Sequence, residues 1–278
     1  MIDLLTFSKD RALQMDLLLQ SMDKHCDNLF NDVAVLYTSS TPEFESGYEK
    51  LAKAWPDVRF IKETNFEEDT RKFLREASEI VCLLSDDCFF FRDVSAYQKQ
   101  IIDTISREEI LGFILGIGGD SRYSGTRRHK FRMPDFTKED NVLIWDWQQA
   151  DKGEFECAFM VCGCFYKRDD YLSYVDQVRF QNPNTFESVL QKTWQYSPRR
   201  VEVKKLCACL DEQKIVHSLN NRVQDIFRNK FGEVYPFSAK DMNEAYLSGK
   251  VVDLEALDFS EVDGLHKEIE FILRNEDE

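Results

Sequence analysis

The sequence predicts an α/β domain with a mostly parallel sheet flanked by helices. Apolar runs of strand length alternate with segments of helical period from the first residue to about residue 84. Turn and stop residues punctuate that alternation, from Ser8 and Asp10 near the start to Pro56 after the second helical segment. The 278 residues are 43% hydrophobic and 31% charged, which suits a packed core and excludes a disordered chain.

The elements follow in order. Residues 1–7 open the chain as an apolar strand. Ser8 or Asp10 is the expected N-cap of a helix that carries Leu13, Leu17, Leu18 and Met22 on one face. Residues 32–37 read as the second strand, ended by the polar stretch 38–42. A helix over 43–54 stops before Pro56, because proline cannot continue it. A third strand over 58–61, a third helix over 67–77 and a fourth strand over 80–84 complete the run. Such alternation builds right-handed crossovers and a parallel sheet.

Beyond residue 93 the pattern changes. It reads as a helix over 95–105, a strand over 111–117, a long loop over 118–140, strands over 142–147 and 155–166, a helix over 186–194 and a strand over 203–210. No Pro/Ser-rich linker divides the halves, so one domain over residues 1–250 is expected, with halves at 1–93 and 94–225. The acid-rich tail 251–278 is expected to be a surface helix with a frayed end.

Charge and cysteine usage narrow the function. Lys+Arg number 36 and Asp+Glu 51, a net charge of −15 that opposes binding to nucleic-acid phosphates. The longest apolar run, residues 110–117, is far shorter than the ~20 residues of a membrane-spanning helix. The opening residues lack a basic, then apolar, leader pattern. The expectation is a cytoplasmic protein whose eight cysteines are reduced.

The most informative stretch is Ile80-Val81-Cys82-Leu83-Leu84-Ser85-Asp86-Asp87. Two adjacent carboxylates sit where an apolar strand ends. Burying them is costly unless they are paired or metal-bound, and ligands of parallel α/β sheets bind at the carboxyl ends of the strands. Neighbouring side chains point to opposite sides, so the two acids would differ in task. A simple Ser-Asp-Asp turn explains the same residues equally well.

An opening strand, the Ser8-Lys9-Asp10-Arg11 loop, a helix and then Ser85-Asp86-Asp87 together resemble the GT-A glycosyltransferases. In that family this position carries an Asp-any-Asp motif, here with Ser in its first place. The resemblance implies a Rossmann-like sheet with a smaller mixed sheet on the acceptor side, so that residues 1–93 bind the nucleotide. It implies Mn²⁺ or Mg²⁺ held by Asp87 and His217, with Asp86 near the ribose or donor sugar and Thr6, Phe7 and Arg11 at the nucleotide. Gly163, within Cys162-Gly163-Cys164, resembles the glycine beside donor and acceptor, although a bulge in a core strand is the plainer reading. Glu187, after Asn184-Thr185-Phe186, resembles the base of inverting members; a first-turn Glu stabilised by the helix dipole is its rival reading.

The expected partners are a nucleotide-sugar donor and a carbohydrate acceptor. Arg122, Arg127, Arg128, His129, Lys130 and Arg132 offer a basic loop for a diphosphate or an anionic acceptor. Cys162, Cys164, Cys207 and Cys209 could supply four thiolates to zinc, but Cys-any-Cys spacing suits small core residues and zinc is not expected. A nucleotidyltransferase or dehydrogenase is disfavoured, since residues 1–12 contain no glycine for a phosphate loop. The remaining alternative is a catalytically degenerate, transferase-like carbohydrate- or protein-binding module.

Overall fold

The computed structural model describes residues 1–151, 153–196, 198–224 and 231–277, with Arg200 by its backbone alone. The first half alternates as its sequence pattern requires: β1 (Ile2–Lys9), α1 (Ala12–His25), β2 (Asp32–Thr38), α2 (Pro42–Ala54), β3 (Arg59–Lys62), α3 (Phe66–Glu76) and β4 (Ile80–Ser85). β5 (Cys88–Phe90) follows after a two-residue turn, then α4 (Gln98–Ile105) and β6 (Ile110–Gly118). Three short strands, β7 (Tyr123–Ser124), β8 (His129–Lys130) and β9 (Thr137–Glu139), lie within the expected loop. The chain continues through β10 (Val142–Asp146), β11 (Cys164–Lys167), α5 (Arg168–Val175), α6 (Pro183–Gln195), β12 (Leu206–Leu210) and β13 (Ile215–Ser218). It closes with α7 (Ala239–Leu247), β14 (Lys250–Val252), β15 (His266–Lys267) and β16 (Leu273–Asn275).

Nine strands form the central sheet in the order β3-β2-β1-β4-β11-β6-β12-β10-β9. β1, β2, β3 and β4 run parallel, and β11 enters antiparallel beside β4. The parallel strands are apolar nearly throughout, because helices cover both faces. Leu4, Leu5, Val35, Val81, Cys82, Leu83 and Leu84 are fully buried. A second sheet, β15-β13-β5, stands beyond the end of β4. In it His217 lies opposite Cys88 on one side and His266 on the other. This row exists because β5 folds back immediately after Asp87.

Four expectations need correction. The first helix starts after Arg11, and neither Ser8 nor Asp10 caps it. Instead Asp10 takes a left-handed φ of 57°, which a short polar side chain tolerates, and accepts from Ser40 N at 2.7 Å. The first strand runs on past Thr6 and Phe7 to Lys9. Of the expected 155–166 strand only residues 164–166 are strand, the start of Cys164–Lys167. Gly163, at φ +77°, turns the chain just before it. The acid-rich tail is not a surface helix; over its described residues it is short strands and a 3₁₀ turn, with Leu265, Ile269 and Phe271 buried.

Candidate active site

The carboxyl ends of β1 and β4 lie side by side, with Thr6 paired to Leu84 and Phe7 to Ser85. The backbone N–H of Asp86 donates to Phe7 O at 3.0 Å and extends that ladder by one bond. The register therefore carries the Ser8–Arg11 loop directly onto the acid pair.

Asp86 is tied to that loop. Its Oδ2 accepts from Ser8 Oγ at 2.8 Å and Lys9 N at 3.1 Å, and its Oδ1 from Arg11 Nη1 at 2.9 Å. Tyr48 Oη stands 2.6 Å from Ser8 Oγ and accepts from Arg11 N at 3.2 Å. Arg11 also donates from Nη1 to Asp87 Oδ2 at 2.6 Å and from Nη2 to Asn221 O at 2.8 Å. One buried guanidinium thus serves two buried carboxylates, whereas isolated charges could not be buried here.

Asp87 faces the second sheet. Its Oδ1 accepts from Ser85 Oγ at 2.7 Å, its Oδ2 lies 3.1 Å from His217 Nε2, and its carbonyl accepts from Ser218 N at 2.7 Å. The other ring nitrogen of His217, Nδ1, lies 3.4 Å from Cys162 Sγ. The sulfurs of Cys88 and Cys162 and the His217 ring lie within 4.8 Å of one another. His266 packs against His217 with ring centroids 4.7 Å apart and planes tilted by 44°, and its Nδ1 lies 3.4 Å from the buried Glu154.

The electrostatics separate these groups. Burial alone would raise Asp87, but His217 and Arg11 outweigh it and hold the carboxyl well below its usual range. Burial pushes Asp86 up to about 6, opposed by Arg11 and reinforced by Asp87. Burial opposes charge on His217, yet Asp87 and Cys88 raise it well above an ordinary histidine. Glu187, in the first turns of α6, accepts from Val161 N at 2.7 Å. Burial raises it to about 7, with Cys88 and Asp87 adding to the rise and the Val161 N–H and His217 opposing it.

The expected site residues thus divide. Arg11, Asp86, Asp87 and His217 meet in one network, and Glu187 lies within its electrostatic reach. Gly163 sits at its edge; a Cβ there would lie 2.2 Å from Ile215 Cδ1. Thr6 and Phe7 are buried, and the Phe7 ring packs between Phe66 and Phe186 at centroid distances of 5.0 and 6.2 Å. The basic loop does not converge on the acids: Arg127 pairs with Glu156 and Arg128 with Glu233, each at 2.5 Å. Cys162 joins Cys88 and His217, whereas Cys207 and Cys209 lie buried in β12. Sequence reasoning missed Ser8, Tyr48, Cys88, Glu154 and His266. Ser8 lies in a loop already singled out, though for another task, and Cys88 follows the acid pair; the others carry no local signal.

Asp87 Oδ2 and His217 Nε2 stand at the separation of two neighbouring ligands on one ion. A hard divalent ion is commonly bound by one or two carboxylates with substrate phosphates completing the shell. The pair fits such an ion, in competition with Arg11 for the same oxygen.

No family model matches the chain. A curated relative, the bifunctional glycosyltransferase pgtA of Dictyostelium discoideum, is 24% identical over 287 residues, 91% of this chain. The chain spans only 36% of that protein's length. Among solved structures, S. aureus TarS superposes with a TM-score of 0.50 at 11% identity, covering 79% of this chain and 37% of that one. With the parallel half, the acid pair at the end of β4 and the added mixed strands, the chain has the GT-A-like architecture of glycosyltransferases.

Proposed function

We propose that the chain is a glycosyltransferase moving a sugar from a nucleotide-diphosphate donor to a carbohydrate hydroxyl. The observation that carries this reading is the meeting of Arg11, Asp86, Asp87 and His217 at the carboxyl end of the parallel strands.

Asp87 and His217 would hold Mn²⁺ or Mg²⁺, which when bound bears the charge developing on the leaving diphosphate. Arg11 supplies a fixed positive charge beside both acids and a planar fork suited to phosphate oxygens. Asp86 positions that fork and the Ser8–Lys9 backbone, where the donor nucleotide docks. Glu187, raised to about 7, takes the proton from the acceptor hydroxyl as its oxygen attacks, which inverts the anomeric carbon. Partial burial of Glu187 and His217 limits competing water.

A groove of about 510 Å³ passes His266 and is lined by Tyr123, Arg128, Lys267 and Glu268. Its wall includes His266, whose ring packs against His217, and its polar lining suits a polar acceptor such as a glycan. Transfer from a panel of nucleotide sugars, assayed with and without Mn²⁺, tests the proposal. Turnover that survives intact in Asp87→Ala would refute the role of Asp87. Donor binding by calorimetry without turnover from any donor would favour a binding module instead.

A further inference from the structure

We propose that Cys88, Cys162 and His217 form a site for one soft divalent ion, zinc by its chemistry, separate from the carboxylate oxygens of Asp86 and Asp87. Their donor atoms lie within 4.8 Å of one another, and Cys162 Sγ is 3.4 Å from His217 Nδ1. Tetrahedral zinc with S and N ligands at ~2.3 and ~2.0 Å asks for donor separations of this order. Two sulfurs and one imidazole select zinc over the magnesium class, which prefers oxygen.

Three features of the fold assemble the set. Antiparallel pairing of β5 with β13 puts Cys88 directly opposite His217, so both side chains share one face. The left-handed turn at Gly163 brings Cys162 to that face from a different segment. Asp87 Oδ2, at 3.1 Å from Nε2, fixes the tautomer that leaves Nδ1 to bind; a carboxylate behind a metal-bound imidazole is a recurrent arrangement. Cys88 and Cys162 are almost wholly buried, and the His217 side chain is 19% exposed; a water would complete the tetrahedron. Binding forms two Zn–S bonds and one Zn–N bond and releases two protons to solvent, one from Cys162 and one from the Cys88–His217 pair. The inference does not rest on sugar transfer; while zinc holds Nδ1, the Nε2 proton stays hydrogen-bonded to Asp87, and His217 is then no ligand of the transfer metal.

The test uses the full chain, reduced and stripped of metal, titrated with Co²⁺ under anaerobic conditions. The expected spectrum has a thiolate-to-cobalt charge-transfer band and the visible bands of a tetrahedral ion, saturating at one equivalent and bleached by Zn²⁺. Cys88→Ser and Cys162→Ser should each weaken the charge-transfer band, and Cys157→Ser, outside the cluster, should not. Asp87→Asn should weaken binding by ~10–100-fold without removing the band. An octahedral spectrum without charge transfer, or an unchanged band in a folded Cys162→Ser, overturns the proposal. Should the buried-thiol variants fail to fold, X-ray absorption of the zinc-loaded wild type decides: two sulfur neighbours at ~2.3 Å support it, and an all-oxygen shell overturns it.

Discussion

At the scale of single residues, Arg11 and Glu187 carry opposite demands. Arg11 is buried between two acids, so Arg11→Met leaves Asp86 without a counter-charge and Asp87 with His217 alone, and should cost about 3–5 kcal/mol. Lysine keeps the charge but not the fork, so Arg11→Lys should recover only part of that loss. Urea midpoints measure both, and an Arg11→Met protein as stable as wild type would show that the acids are held by something else. Glu187 is raised by burial to about 7 and must be ionised to accept a proton. The sign follows: kcat/KM should fall as pH drops below about 7, approaching tenfold per unit, and level off above it. Glu187→Gln should lower kcat by ~10²–10⁴ and remove that limb of the profile, while donor affinity stays near wild type. A variant that keeps the acid limb would assign it to another group.

Elements set the geometry those residues need, and here the sequence was legible in part. The four parallel strands and their helices follow from apolar runs and helical period, because each is buried as a unit. The acid pair was readable because charges at the end of an apolar strand need partners. The pairing of Asp86 with Ser8 and Tyr48, and the row Cys88–His217–His266, come from strand register between distant segments, which no local pattern encodes. The 155–166 run was misread because Phe155, Phe159 and Val161 are buried without being strand, and apolar content does not fix backbone conformation. Gly163 is the hinge of this element. Gly163→Ala adds a Cβ at φ +77°, costing ~1–2 kcal/mol in backbone strain, and sets it 2.2 Å from Ile215 Cδ1. Ile215→Val removes that methyl at a cost of about 0.5–1.5 kcal/mol. The double variant should therefore be more stable than the sum of the single losses allows, by at least ~0.5 kcal/mol, in denaturant melts. Strict additivity would place the clash elsewhere.

For the whole molecule, the C-terminal segment belongs to the fold despite its acidic composition. Its acids lie outward, and its few apolar residues reach inward at irregular spacing, which hid them from a helical reading. Leu265, Ile269 and Phe271 are buried, His217 N donates to Leu265 O at 2.7 Å, and Asn220 Oδ1 accepts from Ile269 N at 2.9 Å. β15 is the outer strand of the sheet that holds His217. Burial of three such side chains is worth roughly 5–9 kcal/mol, at ~1.5–3 kcal/mol each, against a typical total stability of ~5–15 kcal/mol. β16 differs: among the described residues it pairs with β14 alone, and Ile272 is exposed. A chain ending at residue 272 should keep a cooperative melt with a modest loss in Tm. One ending at residue 258 should lose near-ultraviolet circular dichroism and the cooperative transition together. If the shorter chain still melts cooperatively within a few degrees of the full chain, then the first parallel half and the β5–β13 pair suffice to organise His217. The segment after residue 258 would then be an accessory to the site rather than one of its walls.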